Sequence, residues 1–271
     1  KFNFKNIGIN LKDFRKKISR SFFCIEFGFD YINIGEAYYS KNKVNFRKIK
    51  RVEVPKEALD KGIPSDPEAM GALILDLIKE EKISSKRAAI VISSDAVYTR
   101  LINIPKSIKE GKVYNFLCDP KSSVQIPIQL NQSDFTIYKN NYINNEKLND
   151  DIYFLTAIPK ISVDNLITTC KYAEIELCYL ESGFNSVNRV SNFLKILNKE
   201  KSYLIILELK EECTHLTIVN NKGPLKIDRL TSIRNYPLAA GIINSSSEEK
   251  YLPISKYDLK VLVKEIKRSL I

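Results

Sequence analysis

The segment Cys24-Ile25-Glu26-Phe27-Gly28-Phe29-Asp30-Tyr31-Ile32-Asn33-Ile34-Gly35-Glu36 decides the fold. It reads as a strand, a tight turn at Gly28, and a second strand that bends back. A hairpin that grips phosphate has this outline, because closely approaching backbone N–H groups and compact side chains make the grip. Here most of the gripping residues are replaced. Much later, Tyr203–Val219 (YLIILELKEECTHLTIV) repeats the outline: a β-rich run, a short polar turn, a second β-rich run. The echo points to a duplicated fold whose nucleotide chemistry has decayed.

Outward from the first hairpin, a third strand is expected over Val44–Val54, alternating as Val44 and Phe46, then Ile49, Val52 and Val54, which makes a meander. Ser65-Asp66-Pro67-Glu68 starts a helix, with a cap residue, proline in the first turn and an early acid, and Met70, Leu73, Ile74, Leu77 and Ile78 follow at helical spacing. Ala88–Ile92 is an apolar run of strand length, as in a sheet covered on both faces. These elements define an α/β protein. After Pro105 the pattern predicts a helix over Ser107–Cys118, a strand at Phe135–Tyr138, an Asn-rich loop at 140–149, a strand at Ile152–Ala157, and a helix begun by Ser162 with Val163, Leu166, Ile167 and Cys170 on one face. Residues 107–180 read as a small inserted α+β unit. A helix over Ser182–Leu197, carrying Phe184, Val187, Val190, Phe193, Leu194 and Leu197, returns the chain to the main body. A last helix from about Ser255 sets Leu259, Leu262, Val263, Ile266 and Leu270 inward and Lys256, Lys260, Lys264, Lys267 and Arg268 outward. A helix covering a sheet is favoured over a membrane-binding one.

With 271 residues and 44% hydrophobic content the chain can bury sizeable cores. No apolar run approaches the roughly 20 residues needed to cross a bilayer, and no leader-like stretch opens the sequence. The five cysteines (24, 118, 170, 178, 213) are odd in number and never spaced as CxxC, which argues against a disulfide framework and a zinc site and for a reducing cytoplasm. One histidine, His215, excludes HExxH and multi-histidine metal sites. The nine glycines never lie closer than seven residues apart, which excludes GxGxxG and Walker loops. Net charge is +11, in a composition rich in Lys, Asn and Ile together, so charge alone is weak evidence of a polyanionic partner. The local exception is residues 1–21, a basic arm with interspersed Phe, Ile and Leu that suits an anionic membrane surface. No basic run with interleaved aromatics elsewhere makes a nucleic-acid groove, and no nucleic-acid partner is expected.

Four segments, IEFGFDYINIGE from Ile25, Ser65–Lys106, VQIPIQLNQSDFTIY from Val124 and Ala157–Ser182, together resemble the PilM family of type IV pilus assembly proteins, actin-like relatives of the division protein FtsA. The resemblance covers nearly everything from Phe22 to Ile271. It implies an actin-like core, a duplicated RNase H-like fold, with a small inserted subdomain: 22–106 plus 181–199 as the first core half, 107–180 as the insert, and 200–271 as part of the second half. The last lobe is expected to be shortened, since the glycine-rich adenosine loop is not in this sequence.

Family members with intact nucleotide sites carry an IDxGSSSVK-like first loop. The matching positions here are Glu26 for the acid, Gly28 for the glycine, Phe29-Asp30-Tyr31 for the small hydroxyls and Asn33 for the lysine; only Gly28 agrees. The second loop, DIGxxxT, matches Glu208 to Thr214, with Lys210 in place of glycine and Glu211 and Glu212 adding carboxylates beside it. The resemblance therefore implies a cytoplasmic scaffold at the inner membrane, with no catalytic residue, no metal and no ATP cofactor. Its partner would be the cytoplasmic tail of a PilN-like membrane protein, with other pilus platform components as further contacts. Ile126, Pro127 and Phe135 are candidates for the partner groove. The alternatives are an active actin-like ATPase of pilus assembly and a secretion or cell-division scaffold of the same fold.

Overall fold

The computed structural model describes residues 21–40, 43–92, 96–140, 149–193, 203–209, 214–220, 223–231 and 256–270. The basic arm up to Arg20, Lys210, Glu211, Glu212, most of the Asn-rich loop, and Leu194 and Leu197 lie outside them.

Alternation builds the first layer. In β1 (Ser21–Phe27), Phe23, Ile25 and Phe27 are buried, and the intervening residues face the other way. β1 pairs antiparallel with β2 (Tyr31–Ser40), and β2 pairs antiparallel with β3 (Lys43–Glu53). Two short strands, β4 (Leu59–Asp60) and β5 (Ile63–Pro64), precede α1 (Pro67–Glu80), which leads to β6 (Arg87–Ile92). The chain continues through β7 (Tyr98–Pro105), α2 (Val113–Cys118), β8 (Ser133–Lys139), β9 (Asp150–Pro159), α3 (Lys160–Tyr172) and β10 (Glu176–Ser182). Both β6 and β10 run parallel to β1, giving a five-stranded mixed sheet in the order β3-β2-β1-β6-β10.

Helices α1 and α3 cover one face of this sheet. Met70, Ile74, Leu77 and Ile78 of α1 and Leu166 and Cys170 of α3 meet Phe23, Ile25, Phe27, Ile32, Ile34, Ile90 and Ile92 in one core. Each such fully buried aliphatic or aromatic side chain contributes about 1.5–3 kcal/mol relative to exposure. Asp66 is the cap residue of α1, accepting from the backbone N–H of Glu68 and Ala69 at 3.0 Å each, with Pro67 in the first turn. A Cβ on Gly71 would lie 2.4 Å from Tyr172 Cβ and 2.7 Å from Thr169 O, so glycine is what lets the two helices approach this closely.

Several sequence expectations change here. Residues of α3 and β10, assigned to an inserted unit, belong to the same core and sheet as β1, because the apolar face of α3 packs on α1. α3 starts at Lys160 after Pro159 rather than at Ser162. The helix expected over Ser107–Cys118 is a 3₁₀ turn at Glu110–Lys112 followed by α2. β7 was not anticipated; it joins a three-stranded sheet in the order β7-β9-β8. Ala89 and Val91 of β6 are half-buried, so the apolar run is more fully covered on the core face.

The break in alternation between Phe46 and Ile49 is a β-bulge. Ile34 pairs with Lys50 but Glu36 pairs with Arg47, and Lys48 takes a left-handed backbone (φ 56°) between them. The bulge brings Arg47 onto Glu36, which is only 1% exposed. Glu36 accepts from Arg47 Nε at 2.8 Å, Ser84 Oγ at 2.6 Å and Ser85 N at 3.2 Å. Lys48 donates to the carbonyls of Glu81 and Lys82 at the C-terminus of α1, where the helix dipole favours a cation.

The described residues fall into two compact units, one drawn from 1–98, 114–137 and 155–186, the other from 99–113, 138–154 and 187–271. The short helix α4 (Gly183–Phe193) opens on Ser182, whose hydroxyl accepts from Asn185 N at 3.3 Å; Val190, expected inward, is exposed. In the second unit, β11 (Tyr203–Leu209), β12 (Thr214–Asn220) and β13 (Gly223–Leu230) form an antiparallel meander; the third of these strands was not anticipated. The buried amide of Asn140 donates to Pro224 O at 2.8 Å. The helix α5 (Lys256–Leu270) packs on this meander through Leu262, with Leu209, Leu230, Val261 and Ile266 around it. Leu259, Val263 and Leu270, expected inward, are exposed. No described helix is long and apolar enough to cross a membrane.

Glu36 makes stability depend on pH with a definite sign. Burial pushes its carboxyl upward, but hydrogen bonds from Ser84 and Arg47 and the charge of Arg47 outweigh this and hold it below the ordinary value of 4.5. Its contribution is therefore complete above that value and lost as pH falls through the lowered one. Glu36→Gln is expected to cost about 1–3 kcal/mol near neutral pH in chemical denaturation. In acid the gap to the parent protein is expected to narrow; a gap that stays constant contradicts this assignment.

Candidate functional site

The tip of the first hairpin gathers the positions singled out in the sequence. Gly28 N–H donates to Tyr31 O at 2.9 Å, which leaves Phe29 and Asp30 as a two-residue loop, and Val54 N–H donates to Asp30 O at 2.9 Å. Glu26, Gly28, Tyr31 and Asn33 occupy the sheet face opposite the core, because Phe27, Ile32 and Ile34 occupy the core face. Glu26 and Asn33 are direct cross-strand partners. The Asn33 amide donates to Glu26 Oε2 at 2.9 Å, and Asn33 Oδ1 accepts from Arg51 Nε at 3.1 Å. The Arg51 guanidinium lies 3.8 Å from the centroid of the Tyr31 ring, a cation–π contact. That ring lies against Gly28: a Cβ there would meet Tyr31 Cζ at 2.4 Å.

Glu26, Asn33, Arg51, Tyr31 and Gly28 thus form one continuous cluster. Gly28 still allows close approach, but a tyrosine ring of the same chain occupies the space beside it. The Gly28 N–H is itself taken up by the turn, as donor to Tyr31 O. Sequence reading missed Arg51. Its signal was its place in β3 opposite Asn33, and that register becomes visible only with the bulge at Lys48.

The strands of the second hairpin pair antiparallel within their own unit. Glu208 pairs with His215 and Leu209 with Thr214 across β11 and β12. Thr214 is fully buried, and its hydroxyl has no hydrogen-bond partner among the described residues. Lys210 falls outside the described residues. Among the described residues no group of His, Cys, Asp and Glu side chains is placed to hold a metal ion.

The groove candidates occupy a different region. Ile126 is half-buried and Pro127 exposed, both on the irregular segment between α2 and β8. Phe135 in β8 stacks face to face on Tyr114 of α2, with centroids 4.7 Å apart and planes 8° from parallel. Tyr114 is largely exposed, so the pair presents an aromatic surface. Tyr114 was not anticipated.

A sheet of order β3-β2-β1-β6-β10, antiparallel on one side of β1 and parallel on the other, with a second three-stranded meander later in the chain, defines an actin-like α/β fold. The chain is similar to the PilM–PilN type IV pilus biogenesis complex, with a TM-score of 0.68 and 19% identity over 92% of this chain and 76% of that one. Lesser likenesses are to a Bacteroides thetaiotaomicron protein with an actin-like ATPase fold and unknown function (TM-score 0.47, 14% identity, 92% and 88% of the two chains) and to the cytoplasmic domain of EpsL, an inner-membrane component of the type II secretion system of Vibrio cholerae (0.46, 10%, 86% and 80%). No protein-family model and no curated protein matches the sequence.

The cluster makes a coupling prediction. Gly28→Ala alone forces the Tyr31 ring off the hairpin and is expected to cost about 1–3 kcal/mol. In a Tyr31→Ala background the same change is expected to cost markedly less, a coupling of about 0.5–3 kcal/mol by denaturation. Additive costs would show that the ring does not sit on Gly28.

Proposed function

We propose that this chain is a non-catalytic scaffold of type IV pilus assembly, acting at the cytoplasmic face of the inner membrane, where it captures the cytoplasmic tail of a PilN-like membrane protein. The observation that carries this reading is the likeness to the PilM–PilN complex over 92% of the chain, joined to a first hairpin whose phosphate positions bond to one another. Glu26, Gly28, Phe29, Asp30, Tyr31, Asn33, Glu208, Lys210 and Thr214 are on this reading remnants of two phosphate loops. Two properties support the loss of nucleotide chemistry: a bulky ring where small hydroxyls would be needed, and an amide where a lysine would reach phosphate.

The partner is a short peptide. Its proposed seat is the surface carrying the Tyr114–Phe135 stack, with Ile126 and Pro127 on the neighbouring segment. Exposed, rigid aromatic pairs suit this task, because they bury a large area on binding and lose little conformational freedom.

Titration of the purified chain with the amino-terminal peptide of its PilN-like partner tests the reading. Binding is expected, with Tyr114→Ala and Phe135→Ala each weakening it about tenfold or more. Unchanged affinity in both variants would move the groove elsewhere, and no peptide binding by the parent chain would remove the scaffold reading.

A further inference from the structure

Helix α5 turns an unusual face to its sheet. Asp258, Leu262, Glu265 and Ser269, spaced by three or four residues, point inward. Glu265 accepts from Thr231 N–H at 3.1 Å and from Thr231 Oγ at 2.5 Å, the Ser269 hydroxyl donates to Asp228, and the Lys226 ammonium donates to Ser269 O. These polar ties fix the rotation of the helix about its axis and place both of its described acids on the covered side or its margin.

What they leave outside follows from helical geometry. At about 100° per residue, Leu259, Val263 and Leu270 fall within about 40° of one another. They are 50%, 41% and 44% exposed, one stripe along three turns. In the adjoining sector stand Lys260, Lys264, Lys267 and Arg268, all exposed, and none takes part in an ion pair among the described residues. The outer half of α5 is therefore aliphatic on one side and cationic on the other, and no carboxylate interrupts it.

We propose that this face of α5 binds an anionic phospholipid surface, with Leu259, Val263 and Leu270 at the acyl boundary and the four cations among the headgroups. Charge and shape select this occupant. Long basic side chains reach headgroups while their stems and neighbouring aliphatics stay in the apolar zone. Duplex nucleic acid would match the cations but leaves the aliphatic stripe in water. The contact is separate from peptide capture and involves a different unit of the chain.

Co-sedimentation of the full chain with vesicles tests this without any partner peptide. Binding is expected to vesicles of phosphatidylcholine mixed with phosphatidylglycerol, to fall with added salt, and to be absent on phosphatidylcholine alone. Each cation close to such a surface accounts for about a fivefold change in partitioning. The fourfold variant Lys260→Ala, Lys264→Ala, Lys267→Ala, Arg268→Ala is thus expected to lose about a hundredfold or more. Should that variant unfold by circular dichroism, Lys264→Glu alone is expected to lose about twentyfold. The pair Leu259→Ser and Val263→Ser is expected to lose about tenfold with its charges intact. Parent protein that stays in the supernatant overturns the proposal. So does an aliphatic pair variant that binds like the parent while duplex DNA competes equally well, since the face would then be a general polyanion site.

Discussion

Successive residues of a strand point to opposite faces, so burying Phe23, Ile25 and Phe27 beneath α1 and α3 commits Glu26 and Gly28 to the other side of the sheet. A slip of one residue would exchange the two sets and expose three of the largest core side chains. The hairpin's outer face is therefore set by packing that lies entirely on its inner face. Everything at the tip follows from that register: Glu26 stands opposite Asn33, Asn33 opposite Arg51, and Tyr31 is left to fold back over Gly28.

At the tip of the first hairpin the polar side chains satisfy one another. The Asn33 amide bonds to the Glu26 carboxylate, and Arg51 from the third strand stacks on Tyr31. Polar groups find partners within the chain, as half-buried groups must to avoid the cost of lost hydration. The second meander keeps the same plan, with Glu208 opposite His215 where Glu26 stands opposite Asn33, and with α5 packed on the sheet. Duplication is thus visible in strand pairing, although the side chains share almost nothing.

Periodicity carried the parts of the fold that depend on it. The first meander, the cap at Asp66, the apolar stripe of α1 and the buried run of β6 were all readable, because each is a local pattern with one physical cause. The interruption between Phe46 and Ile49 was visible but not its meaning, since a bulge is defined by the partner strand rather than by its own sequence. Glu36 was unreadable as a buried charge for the same reason: its partners, Arg47, Ser84 and Ser85, meet it only through tertiary pairing. In α5 only Leu262 and Ile266 of the expected stripe meet the sheet, because hydrogen bonds to Thr231 and Asp228 set the helix's rotation and leave Leu259, Val263 and Leu270 outside. The placement of α3 and β10 failed because an apolar helical face shows what it needs to bury, not which helix it meets. At the candidate site, Glu26, Gly28, Tyr31 and Asn33 were legible as a set through the hairpin outline, whereas Arg51 and Tyr114 depended on contacts between segments distant in sequence.

The proposed scaffold role requires the first hairpin to be closed to phosphate by its own side chains. Calorimetric titration of the purified chain with ATP in the presence of magnesium measures this directly. No saturable heat is predicted into the millimolar range, where binding is worth only about 4 kcal/mol. A dissociation constant in the low micromolar range would contradict it, because the Tyr31 ring and a triphosphate cannot share the space beside Gly28.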